Sequence, residues 1–240
     1  TTNSAGRTVS WPTTNAGTKS IYPFPIPKTM RLPTPLLRKN PKAHKNDFGH
    51  VLVLAGSREM LGAAALCSLA AMRSGAGLVT VGIPKSLNAS LQKKISPVVM
   101  TLALPETAAQ TLSLSAYAVL AKIITKFSVI ALGPGLSQDK STQQLIRKMV
   151  STAAVPLVID ADGLNALAGQ MDILQKSPTT KILTPHPGEM ARLTGLPKNA
   201  IESNRPAVAL DFAKRYHCVL LLKGPQTVIA APDGKIAINK

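Results

Sequence analysis

The chain has 240 residues, of which 45% are hydrophobic and only 3% aromatic, and a formal net charge of +17. That length suits one sizeable α/β domain with an extension, its core built from Leu, Val, Ile and Ala because rings are so few. No run approaches the about 18–20 consecutive apolar residues of a membrane-spanning helix, and no signal-peptide core is visible, which sets the expectation of a cytoplasmic protein without a membrane partner.

The charge invites a nucleic-acid reading, and its distribution argues against one. Residues 1–45 contain Arg7, Lys19, Lys28, Arg31, Arg38, Lys39, Lys42 and Lys45 and no acid, so 8 of the 17 charges come from that segment. The rest is spread along the chain without a block of like charge, and aromatic residues that could stack on nucleotides are few, at 3% of the chain. Cys67 and Cys218 sit in apolar contexts without metal spacing and read as buried free thiols.

Residues 1–40 are rich in Thr, Ser, Asn, Pro and Gly, and residues 1–43 read as a Pro-rich basic linker or tail. Tyr22-Pro23-Phe24-Pro25-Ile26-Pro27 cannot be helical and reads as an extended linker or tail. Residues 44–240 read as one domain. From residue 51 short apolar strand runs alternate with helical patterns. Strands are expected at 51–55, 78–83, 98–104, 128–132, 156–160, 181–183 and 218–223. Helices are expected at 62–73, 85–94, 115–125, 138–150, 163–168, 188–193 and 205–216. Runs at 227–231 and 236–238 flank Pro232-Asp233-Gly234 and predict a hairpin. Continuous apolar strands between helices predict an α/β fold with a mostly parallel sheet covered on both faces.

Unusual chemistry follows five of these strands. Ala55-Gly56-Ser57, leading to Gly62-Ala63-Ala64, would let a ligand approach the backbone, although tight strand–helix turns are built the same way. Gly133-Pro134-Gly135 makes a stiff turn with no side chain in the way, and a plain structural turn accounts for it as well. In Asp160-Ala161-Asp162-Gly163-Leu164-Asn165 two carboxylates leave a buried strand, where they need a partner, a cation or a backbone donor. Water-mediated approach to Mg²⁺ and a loop-holding role both fit Asp160; capping of the next helix is the preferred reading for Asp162. In Thr184-Pro185-His186-Pro187-Gly188-Glu189 two prolines fix the direction of one histidine, which favours a functional contact, while Glu189 sits where a helix dipole welcomes an acid. Lys223-Gly224, followed by Thr227, offers a lysine and backbone N–H groups to a phosphate; a solvated lysine at a turn is the alternative.

In this order the motifs resemble the ADP/ATP-dependent (S)-NAD(P)H-hydrate dehydratase family, which has a ribokinase-like three-layer α/β sandwich. The resemblance runs from about His44 to the chain end and includes Asp47-Phe48-Gly49-His50-Val51-Leu52-Val53 and Met72-Arg73-Ser74-Gly75-Ala76-Gly77-Leu78-Val79-Thr80. It implies dehydration of NADHX or NADPHX to NADH or NADPH, with ADP or ATP as phosphoryl donor and Mg²⁺. It implies substrate contacts from Ala64, Gly135, His186, Glu189 and Arg192, and nucleotide contacts from Lys223, Gly224 and Thr227, with no residue assigned as a metal ligand. Self-association and an NAD(P)H-hydrate epimerase, fused or separate, are the partners it implies. The family pattern continues into a GGxGD turn carrying the catalytic aspartate. This sequence stops at Asn239-Lys240, so the domain is expected to be incomplete at its C-terminus and residues 1–240 to turn over weakly or not at all. The competing readings are a ribokinase-like kinase of the hydroxymethylpyrimidine or thiazole type, and a non-catalytic basic nucleotide- or nucleic-acid-binding protein.

Overall fold

The computed structural model describes residues 42–239 and, within the N-terminal segment, two strands, β1 (Val9–Ser10) and β2 (Thr29–Met30), which pair antiparallel. The extended stretch read over residues 22–27 lies outside the described residues. A 3-10 turn, Lys45–Phe48, capped by His44, leads into β3 (His50–Leu54).

Nine strands form one sheet in the order β11-β10-β9-β8-β7-β6-β3-β4-β5. β4 (Leu78–Pro84) and β5 (Met100–Leu104) extend one side of β3. β6 (Val129–Leu132), β7 (Leu157–Ile159), β8 (Lys181–Leu183) and β9 (Val219–Leu222) extend the other. β3 to β9 are parallel; β10 (Thr227–Ala230) and β11 (Ile236–Asn239) close that edge as the expected antiparallel hairpin. The chain therefore reverses its direction of winding between β3 and β6, the kind of crevice where open α/β sheets bind ligands.

The helices are α1 (Leu61–Arg73), α2 (Asn88–Gln92), α3 (Ala116–Ala121), α4 (Lys140–Thr152), α5 (Asp162–Leu167), α6 (Asp172–Lys176), α7 (Pro187–Thr194), α8 (Lys198–Ser203) and α9 (Arg205–Tyr216). α4 shows why such segments become helices. Asp139 caps it by accepting from Ser141 N and Thr142 N, and Leu145, Ile146, Met149 and Val150 recur on one buried stripe. The expected helix at 85–94 is a 3-10 turn followed by α2, and that at 115–125 is α3 followed by another 3-10 turn. Helices α6 and α8 were not expected: with five and six residues and one buried side chain each, they are too short to show a helical period.

Two cores result. Val53, Val79, Val81 and Ile83 pack under α1 and α2, whereas Leu52, Leu54, Leu132, Ile159, Leu183 and Leu220 pack under α3 to α9. Coverage of both faces, as expected, holds around β3 and β4. From β6 onward Val158, Ile182, Leu221 and Ile229 are only half-buried, because the helices following β6, β7 and β8 all join the same core. Cys218 is buried, as expected, and burial pushes its thiol up to about 12; Cys67 is half-buried. Among the described residues no helix is long and apolar enough to cross a membrane.

Candidate active site at the carboxyl edge of the sheet

Strand register brings the motifs together. Leu54 pairs with Leu132, Leu132 with Ile159, and Ile159 with Leu183, so the next residues, Ala55, Gly133, Asp160 and Thr184, leave the sheet side by side. β9 runs further before ending at Lys223, whose backbone N–H returns to Pro185 O at 2.8 Å. Gly56 N likewise donates to Pro134 O at 2.8 Å, joining the loops on either side of the reversal point.

Glycine is required where these loops touch. A Cβ on Gly133, whose φ is +130°, would stand 1.9 Å from Asp160 O and 2.7 Å from Gly163 N. The β6 and β7 loops therefore meet backbone to backbone. A Cβ on Gly135 would lie 2.7 Å from that of Met60 and 2.9 Å from that of Ala63.

Four expected side chains form one charged group. Lys223 Nζ lies 2.7 Å from Asp160 Oδ1 and 3.8 Å from Glu189 Oε2. Glu189 is only 7% exposed at its side chain, so its charge needs these partners. Its Oε2 also accepts from His186 N at 2.8 Å, while His186 Nδ1 accepts from Gly188 N at 2.9 Å and Glu189 N at 3.2 Å. The result is a reciprocal capping box with histidine in the N-cap position and Pro187 in the first turn. Two amide donors on Nδ1 place the ring proton on Nε2, which is 3.6 Å from Glu189 Oε1 on a side chain that is 51% exposed. His186 is thus held through Nδ1, with Nε2 beside Glu189 and about half of its side chain open to solvent. On α1, burial first, and the charge of Asp160 second, push the Cys67 thiol upward.

The remaining expected residues fall elsewhere. Ala64 is fully buried, and a Cβ on Gly56 would come 2.8 Å from its own, so Ala64 supports the first turn from beneath. Arg192 donates from Nε to Asn165 Oδ1 at 2.9 Å. Gly224 packs against the Arg205 guanidinium, and Thr227 donates to Gly224 O at 3.2 Å. Asp162 does not cap α5. Ala161 occupies the N-cap position with φ +50°, which carries the Asp162 carboxylate across to accept from Ser137 N at 2.9 Å.

Arg205, Ser137 and Asn165 hold positions in this site that the sequence alone does not assign them. Arg205 donates to Leu222 O at 2.8 Å and to Pro225 O at 2.6 Å, bracing the turn after Lys223. No local signal marks it, since its partners are 17 and 20 residues away.

The described residues contain no cluster of three or more His, Cys, Asp or Glu able to hold a metal ion. Mg²⁺ keeps several waters and is usually held by one or two carboxylates plus substrate phosphates. Asp160, whose Oδ1 is engaged by Lys223 Nζ at 2.7 Å, is the carboxylate at this edge that such an ion could use.

A family model described as NAD(P)H-hydrate dehydratase matches residues 51–240. The chain is 43% identical over 204 residues to the bifunctional NAD(P)H-hydrate repair enzyme Nnr of Moorella thermoacetica, covering 85% of this chain and 38% of that relative's length. It is 38% identical over 204 residues to the ADP-dependent (S)-NAD(P)H-hydrate dehydratase of Bacillus subtilis, covering 85% of this chain and 68% of that one. Among solved structures, the B. subtilis ADP/ATP-dependent NAD(P)H-hydrate dehydratase co-crystallized with ATP/Mg²⁺ superposes with a TM-score of 0.67 at 35% identity, over 84% of this chain and 67% of that one. A ribokinase-like superfamily protein of Enterococcus faecalis superposes with a TM-score of 0.69 at 24% identity, over 85% and 66%, and speaks to the fold alone. With that model matching residues 51–240, from β3 to β11, and 68% of the B. subtilis relative covered at 38% identity, the chain belongs to the NAD(P)H-hydrate dehydratase family.

Proposed function

We propose that this chain serves the nucleotide-dependent dehydration of (S)-NADHX and (S)-NADPHX to NADH and NADPH. The observation that carries the reading is the joining of His186, Glu189, Lys223 and Asp160 in one group beside the Gly133-Pro134-Gly135 turn. Those residues come from three separate strand ends and lie in the motifs that carry the resemblance to this family.

Hydroxide is a poor leaving group. Transfer of a terminal phosphoryl group to the hydrate oxygen, with loss of its proton, converts it to a phosphate ester. Cleavage of the C–O bond then releases phosphate as a neighbouring proton departs and the double bond forms. The residues here bind and orient. His186, half open to solvent, offers its Nε2–H to the hydrated nicotinamide nucleotide, and Glu189 keeps that ring in place through the capping box. Gly135 lets the substrate lie close to the backbone, and Ala64 and Arg192 act from behind. Lys223 and the N–H groups of Gly224, Gln226 and Thr227 meet the nucleotide phosphates, and Asp160 is the carboxylate that would be available to Mg²⁺. When bound, Mg²⁺ neutralises charge on the transferring phosphoryl oxygens.

Residues 44–240 form the dehydratase domain in this reading and residues 1–43 a basic linker or tail. An NAD(P)H-hydrate epimerase, fused or separate, is the expected partner, because the bifunctional relatives are named as repair enzymes and extend well beyond the aligned region. Self-association and a cytoplasmic setting belong to the same reading. The test is formation of NADH from (S)-NADHX with Mg²⁺ and ADP or ATP, using the whole gene product that carries this chain. Reduced nicotinamide should accumulate with one or both nucleotides; failure of both refutes the reading.

A further inference from the structure

We infer that Arg192, Asn165 and Asp162 form a positioning relay that holds the turn over residues 133–137 in its working shape. Ser137 has φ +81°, a left-handed conformation that an L-residue keeps only when its surroundings impose it. Two bonds impose it here: Ser137 N donates to Asp162 Oδ2 at 2.9 Å, and Ser137 Oγ accepts from Asp139 N at 3.2 Å.

The first of these bonds is the end of a chain. Asp162 Oδ1 accepts from Asn165 Nδ2 at 3.1 Å, and Asn165 Oδ1 accepts from Arg192 Nε at 2.9 Å. The asparagine amide cannot be turned over without facing a donor with a donor and an acceptor with an acceptor, so its two partners lock it. The chain runs from α7, whose N-cap is His186, through α5, to the turn that contains Gly135. It couples the two walls of the site without passing through the Asp160–Lys223–Glu189 ion pairs. Arg192, expected from the resemblance to touch substrate, is here a positioning residue acting through Asn165. The ligand that senses the turn is taken from the proposed function, on which this inference rests.

A glycine at position 137 provides a test that a merely structural role would not pass, because glycine adopts positive φ without being held. In the 240-residue chain, Asn165→Ala and Arg192→Ala should each weaken binding of NADPH, the reaction product, by about fivefold to tenfold, while ADP binding changes by less than about twofold. Adding Ser137→Gly to either variant should bring NADPH binding back to within about twofold of wild type. Amide exchange over residues 133–139 should quicken about tenfold in Asn165→Ala, with β3 unchanged. Unchanged exchange in that segment overturns the relay, whether or not NADPH binds. Failure of Ser137→Gly to restore binding to Arg192→Ala overturns it as well, and returns Arg192 to direct substrate contact. Absence of NADPH binding in the wild type counts against the proposed function, and exchange then decides the relay by itself.

Discussion

Replacing His186 separates its two duties, because they use different ring nitrogens. His186→Ala removes the acceptor for Gly188 N and Glu189 N at the start of α7, leaving only the return bond from His186 N to Glu189 Oε2. Loss of an N-cap side chain costs about 1 kcal/mol, within a range of roughly 0.5–2. For a domain of this size that lowers Tm by about 2–4 °C. His186→Asn should keep most of that stability, since asparagine is among the best N-caps, yet it withdraws the Nε2–H just as alanine does. Calorimetric Tm and NADPH affinity, measured for both variants, should therefore part company: asparagine near wild type in Tm, and both weakened in binding. If asparagine restores binding as well as stability, His186 is a cap and not a substrate contact. If alanine leaves Tm unchanged, the capping box described for α7 is wrong.

Lys223→Met leaves the almost buried Glu189 carboxylate without its cation and breaks the 2.7 Å bond to Asp160. Because Lys223 and Asp160 are 41% and 33% exposed, the cost is discounted to about 1–2 kcal/mol, read from the shift of the urea midpoint. ADP binding should fall as well, and retention of full ADP affinity would contradict the nucleotide role. Gly133→Ala forces a methyl into the backbone at Asp160 and should cost about 2–4 kcal/mol with loss of NADPH binding; a variant as stable as wild type would show that the two loops do not meet as described. The buried Cys218 thiol has its pKa raised from 9.0 to about 12 by burial, so folding favours the protonated form. That stability is fully present below about pH 9 and lost toward about pH 12, whereas the lowered pKa of buried Lys181 makes stability rise as pH climbs toward its unfolded value of 10.5. The difference in unfolding free energy between wild type and Cys218→Ala isolates the cysteine. It should shrink across that window by up to about 4 kcal/mol; a flat difference would mean that the thiol is not sequestered.

Much of this molecule is written locally. Apolar runs punctuated by Gly, Pro and Asp set the order of strands and helices, and in a parallel sheet they also set which end carries the loops. The motifs after β3, β6, β7, β8 and β9 were therefore bound to share one edge. The cap of α7 is equally local, since all its bonds lie within four consecutive residues of Pro185-His186-Pro187-Gly188-Glu189. The partners of the charged groups were not legible. Lys223 meets Asp160 across 63 residues and Asp162 meets Ser137 across 25, pairings that follow from strand order and register. Nor does composition reveal that Ser137 and Ala161 take positive φ, which is a strain imposed by neighbours and not a preference of those residues. Ala64, matched to a substrate contact by its position in a motif, is sealed beneath Gly56 because α1 packs there. Residue type and spacing determined which chemistry reaches the edge of the sheet. Tertiary packing decided which side chains face a ligand and which are spent on one another, because contacts between distant strands depend on how the sheet is assembled.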